Sequence, residues 1–223
     1  MSWPPPYPRI PHLPPAPAAA RDDLILDSAT ARALLRQEVV VEEKLDGANV
    51  MVWLDEGRVE VATRGGPGSQ DRAGQLGPLR AWAAPRTEQL GLLLAGDRVL
   101  YAEWMWLTHS VAYDSLPDHF IGLDLYSGAG FAPVAERDAA FAGASVARPP
   151  RLFEGILGGR QRVDELLGGS RFGRGAAEGL VIRPTGPDEA PRLAKVVLAS
   201  ITWRSDASWR RTRERNSISS GLR

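Results

Sequence analysis

The 223-residue sequence balances 27 lysines and arginines against 27 acidic side chains, so no global field marks it for nucleic acid or an acidic membrane. It has no cysteine, which excludes disulfides, thiolate metal sites and cysteine nucleophiles. Its length and 43% hydrophobic content suit one globular domain with short appendages.

Residues 1–20 are rich in proline and predict an extended or polyproline arm, packed on the domain or loose. Met1 to Pro8 has neither the basic start nor the apolar stretch of a secretory signal, so a cytoplasmic enzyme is expected. No run approaches the roughly 20 apolar residues of a membrane span, and no membrane partner is expected.

Asp27-Ser28 is a capping pair for a short helix, Ala29 to Arg36, with Ala31, Leu34 and Leu35 on its apolar side. Strand signals follow densely: Val39 to Lys44, Ala48 to Leu54, and Val59 to Thr63 after the Asp55-Glu56-Gly57 turn. A helix is predicted over Leu79 to Leu94, then strands over Arg98 to Glu103 and His119 to Tyr126. Pro133 starts a helix to Ala142, and Val163 to Leu167 is a shorter one. Strands close the pattern at Gly179 to Arg183 and Arg192 to Val197. Neighbouring strands with irregularly spaced helices predict an α+β fold with two mainly antiparallel sheets and flanking helices. Residues 21–197 form the expected domain. Residues 198–223 form a basic tail, helical in part and exposed, whose arginines suit a solvated terminus or a phosphate-binding strip. In the second reading Trp203 and Trp209 add stacking surfaces.

Only two of the 27 cationic side chains are lysines, Lys44 and Lys195. Arginine stays protonated and has no lone pair to offer an electrophile, whereas a lysine amine attacks once it loses its proton. Lys44 ends one strand in Glu43-Lys44-Leu45-Asp46-Gly47, just before another, so its amine is aimed into whatever the sheet encloses. With a free pKa near 10.4, it needs a neighbouring cation, a metal ion or an arginine, to depress it. Glycine-rich phosphate loops of the Walker and dinucleotide types are absent.

Six short motifs follow one another in order: Lys44-Leu45-Asp46-Gly47, Thr63-Arg64-Gly65, Tyr101-Ala102-Glu103, Phe120-Ile121-Gly122-Leu123-Asp124, Glu178-Gly179-Leu180-Val181-Ile182 and Arg192-Leu193-Ala194-Lys195. Together they resemble the covalent nucleotidyltransferase superfamily of polynucleotide ligases and capping enzymes, closest to its RNA ligase branch. Tyr7-Pro8-Arg9-Ile10-Pro11-His12-Leu13 also resembles the lead-in of bacterial RNA-ligase-like proteins.

The resemblance implies an adenylyltransferase core of the ATP-grasp-like type and an ATP-dependent RNA ligase. Lys44 would take AMP from ATP as a phosphoramidate and pass it to a 5′-phosphate end, which a 3′-hydroxyl then joins. Lys195 is implied as a point charge on the phosphates. Glu178 is implied as the carboxylate for Mg2+ or Mn2+, with Asp46 binding metal water or shaping its turn. Glu103 would accept the ribose hydroxyls, Arg64 would contact sugar or RNA end, and Glu43 would accept from the adenine amino group. Two positions depart from the pattern. Leu123 stands where an aromatic commonly covers the base, leaving Leu123, Phe120 or Tyr126 for that task. Ala194 and Arg192 flank the place of a second lysine, and Arg192 and Lys195 point to opposite strand faces. The 28 residues after Lys195 are too few for an OB-fold domain, which disfavours capping guanylyltransferases and DNA ligases. RNA is expected over DNA. The rivals are a ligase of nicked DNA or RNA–DNA hybrids and a non-catalytic module that binds nucleic-acid ends.

Overall fold

The structure is a computed structural model, and it describes residues 4–17, 24–66, 74–186, 193–198 and 214–219. Two antiparallel sheets form an α+β fold. The four-stranded sheet has the order β7(Arg151–Ile156), β1(Glu38–Lys44), β8(Gly179–Pro184), β9(Ala194–Val197). The five-stranded sheet runs β3(Arg58–Thr63), β2(Ala48–Asp55), β4(Val99–Trp104), β5(Phe120–Ser127), β6(Gly130–Phe131).

Each sheet buries its outer face under helices. Val39, Val41, Leu180, Ile182 and Ala194 pack with Ala31, Leu34 and Leu35 of α1(Ser28–Leu35) and with Val163 of α5(Arg160–Leu166). Asp27 caps α1 by accepting from the N–H groups of Ala29 and Thr30, as its place in the sequence predicts. On the other sheet, Val50, Val52, Leu100, Ala102 and Phe120 meet α2(Leu76–Ala83), α3(Thr87–Leu93) and α4(Val134–Gly143). The helix predicted over 79–94 is two helices, because Pro85 sits in a short 3-10 turn, Ala84–Arg86, between them. Strands β6 and β7 are additions to the sequence reading.

The inner faces meet across a buried ion network. Arg183 of β8 donates Nε–H to Glu42 of β1 at 2.5 Å, and Nη1 to both oxygens of Asp124 on β5 at 2.7 and 2.8 Å. Arg137 of α4 reaches the other oxygen of Glu42 at 2.5 Å and the Leu123 carbonyl at 3.1 Å. The N-terminal arm closes this side. The Tyr7 hydroxyl donates to Asp124, and the Tyr101 hydroxyl donates to the Pro5 carbonyl. Farther on, the arm lies along β9: the Lys195 N–H reaches the Pro11 carbonyl and the Leu13 N–H reaches the Lys195 carbonyl. The arm thereby covers a sheet edge that would otherwise expose unpaired backbone groups.

Residues 214–219 are neither helical nor loose. They bridge Leu107 and Leu116, and Asn216 is buried. Residues 199–213 and 220–223 of the expected tail, including Trp203 and Trp209, lie outside the described residues. Among the described residues no helix is long and apolar enough to cross a membrane.

Candidate active site

Strand alternation decides which side chains of β1 enter the space between the sheets. Glu42 and Lys44 share the inner face; Glu43 must take the outer one. Lys44 lies opposite Gly179 in the β1–β8 register, and its Nζ donates to Glu178 Oε2 at 2.6 Å. Gly179 is required there: a Cβ would lie 1.8 Å from the Val196 carbonyl oxygen of β9. That close approach holds β9 beside Glu178, and the charge of Lys195, paired with Val181, acts on the Glu178 carboxylate.

The turn after Lys44 folds over the end of β4. A Cβ on Gly47 would lie 2.8 Å from both Trp104 O and Met105 Sδ, so the chain can pass only as glycine. Its N–H donates to Glu103 Oε1 at 3.0 Å. Asp46 Oδ2 accepts from the N–H groups of Ser110 and Val111, and the Asp46 N–H donates to Tyr113 Oη at 2.9 Å. Asp46 thus shapes its turn and anchors the β4–β5 connection, while its charge still acts on Lys44 and Glu178.

Electrostatically, burial pulls the Lys44 amine down, but Glu178, Glu103 and Asp46 outweigh it, so the net direction is up. Without a bound cation, the resting Lys44 is an ammonium among these carboxylates. Burial pushes Glu178 above the usual carboxylate range despite Lys44. Glu103 is pushed up to about 7 by burial, aided by Glu178 and opposed by Lys44. Among the described residues, no three acidic or histidine side chains form a ready-made metal cage. Magnesium and manganese sites on phosphate substrates use one or two carboxylates, however, and two destabilised ones stand beside Lys44. That donor set fits a divalent cation.

The other predicted residues are dispersed. Arg64 follows β3, its N–H bonded to the Asn49 carbonyl, and Asn49 faces Glu103 across β2–β4; its side chain is exposed at that level of the sheet. Leu123 falls at a register irregularity, where Tyr101 pairs with Asp124 but Ala102 with Gly122. It packs on the inner cluster of Tyr7, Met51 and Tyr101, with Tyr126. Phe120 stacks on Trp82 in the outer core, 4.1 Å between centroids, and so is removed as a candidate for the base. Glu43 needs the same correction. Its carboxylate faces away from Lys44 and accepts from Ser170 Oγ at 2.5 Å and Arg171 N–H at 2.8 Å. Arg192 lies outside the described residues. The sequence reading passed over Glu42, Arg183 and Arg137. The two-residue spacing of Glu42 from Lys44 was the available signal, since it puts both on one strand face.

A family model described as RNA ligase matches residues 37–197. No curated protein matches the chain. Among solved structures, the chain is similar to a Naegleria gruberi RNA ligase with PPi, at 19% identity and a TM-score of 0.54, covering 76% of this chain and 52% of that one. Other structures of the Naegleria gruberi protein match too: a lysine-to-methionine mutant with AMP and Mn at 15% identity and TM-score 0.56, covering 89% and 59%, and a glutamate-to-alanine mutant with ATP and Mn at 16% and 0.54, covering 75% and 52%. The likeness extends to the fold, and the chain spans about half the length of these neighbours.

Proposed function

The chain belongs to the RNA ligase family, and from that premise we propose that it is an ATP-dependent RNA ligase core working through a Lys44-AMP intermediate. The observation that carries the proposal is the placement of one amine, Lys44, within 2.6 Å of Glu178 and in the field of Glu103, at the end of β1. The Naegleria gruberi structures with ATP, AMP and Mn support the choice of nucleotide and of a divalent metal.

Glu178 and Glu103 are the residues that would hold magnesium or manganese. Such an ion supplies positive charge to the ATP phosphates as pyrophosphate departs. With Glu178 and Glu103 engaged by such an ion, burial would favour the uncharged Lys44 amine, its proton passing to solvent. The Nζ lone pair then forms the N–P bond to the α-phosphorus, and Nζ gives its second proton to solvent. The bond from that phosphorus to the bridging oxygen breaks, and pyrophosphate leaves with the electron pair. Lys195 offers a fixed charge to the phosphates, and Arg64 is exposed at the same level for the sugar or RNA end. The cluster around Leu123 receives the base by apolar contact. AMP next passes to a 5′-phosphate RNA end, and a 3′-hydroxyl displaces it. Positioning and charge neutralisation dominate chemistry of this kind.

The test is incubation with α-labelled ATP or GTP and a divalent metal, followed by 5′-phosphate RNA. The proposal expects label on the denatured chain from ATP, then adenylylated and sealed RNA. No transfer from either nucleotide would leave a module that binds ends; label from GTP alone would overturn the ligase reading. Nicked DNA as the better sealing substrate would correct the choice of RNA.

A further inference from the structure

Residues 214–219 lie beyond the part of the chain that the family model matches, yet they are built into the neighbourhood of Lys44. The connection from β4 to β5, residues 105–119, has no helix or strand of its own. Loops of that length are held by something other than their own hydrogen bonds, and they are often functional. Here the holder is Asn216, which is 4% exposed.

Its amide donates Nδ2–H to the Met105 carbonyl at 2.8 Å. Its Oδ1 accepts from the Tyr113 N–H at 2.9 Å and from Thr108 Oγ1 at 3.0 Å. The backbone repeats the connection: Asn216 N–H reaches the Trp106 carbonyl and Ser217 N–H reaches the Tyr113 carbonyl. The Arg215 guanidinium lies over the Trp106 ring, 4.4 Å from its centroid.

Two of these anchor points touch the Lys44-Leu45-Asp46-Gly47 turn. Met105 Sδ is one of the atoms that a Cβ at Gly47 would strike, and Met105 packs with Leu45. Tyr113 takes the Asp46 N–H on its hydroxyl. Asn216 therefore grips the loop at two of the places where the loop meets the turn, a third being Ser110 and Val111 on the Asp46 carboxylate. We infer that Asn216 is a positioning residue for Lys44, acting through Met105 and Tyr113. It touches no substrate. It fixes the height of the turn that ends β1, and with it the distance from Nζ to Glu178 and to an α-phosphorus. A displacement on the order of 1 Å at such a nucleophile lowers rates by up to about a hundredfold.

The inference rests on the proposed role of Lys44, and its test separates the two. Because the chain has only two lysines, protein labelled with 13Cε-lysine gives two signals, assigned with Lys195→Arg. Asn216→Ala is expected to move the Lys44 signal and to leave that of Lys195 in place. It is also expected to cut the single-turnover rate of AMP transfer about tenfold or more at saturating ATP, with the KM for ATP within about twofold. An unmoved Lys44 signal, or equal movement of both lysines, would overturn the inference, as would a lowered Tm with an undiminished rate. If Asn216→Ala does not fold, Thr108→Val removes one bond of the staple alone and must move Lys44 in the same direction; silence there overturns the inference. Should the wild-type chain take no AMP at all, the functional reading fails, while the lysine spectrum still decides the positioning.

Discussion

Glu103→Gln should make this protein more stable and less active, and the gain should appear only at higher pH. Burial moves the Glu103 carboxyl from 4.5 in the unfolded chain to about 7 in the folded one. Between those values the native state binds more protons than the unfolded state, so stability falls as pH rises from about 4.5 and the loss is complete above about 7. The difference corresponds to at most about 3 kcal/mol at pH 8, and to little at pH 4.5, where the native carboxyl keeps its proton. Glutamine retains an oxygen for the Gly47 N–H but never ionises. For a chain of this size the expected Tm gain at pH 8 is about 6–12 °C, shrinking toward zero near pH 4.5. Magnesium or manganese should narrow the gap at pH 8 by stabilising the wild type more than the variant, which keeps only Glu178. AMP transfer to Lys44 should drop about tenfold or more, because one carboxylate of the site is gone. Thermal unfolding of both proteins between pH 4.5 and 8.5 is the assay. A Tm difference that does not depend on pH would refute the reasoning.

Three further substitutions test the frame around the site. Arg183→Leu strands Glu42 and Asp124 between the sheets with fewer counter-charges. It should cost about 3–5 kcal/mol, read as a lower denaturant midpoint, and an unchanged midpoint would deny the network its role. Tyr7→Phe removes the O–H bonded to Asp124 while Arg183 remains, and should cost about 1–2 kcal/mol; calorimetry at neutral pH measures it. Gly179→Ala sets a methyl against the Val196 carbonyl, so β9 must move. Calorimetry should show a loss of at least about 1–3 kcal/mol, and sealing should be lost through displaced Lys195.

Much of this architecture could be read from the chain because local signals agreed with the final packing. Alternation and the Asp-Glu-Gly turn define β1, β2 and β3, and Asp27 marks the start of α1. Strand β7 escaped because Arg151–Ile156 alternates weakly and has no fully buried residue; only its pairing with β1 makes it a strand. The helix predicted over 79–94 takes no account of Pro85, which divides it into two. Glu43 was misassigned through its adjacency to Lys44, although in a strand adjacency means opposite faces. Polarity alone likewise describes residues 214–219 as a solvated tail. Nothing in their composition signals that Asn216 finds its partners in a loop about a hundred residues earlier.

The central claim is that Lys44 is the amine that carries AMP. The most direct measurement is peptide mapping by mass spectrometry after incubation with ATP and manganese. The account predicts one AMP on the peptide containing Lys44, retained in Lys195→Arg and absent from Lys44→Arg. AMP on Lys195, or on a Lys44→Arg protein, would contradict it.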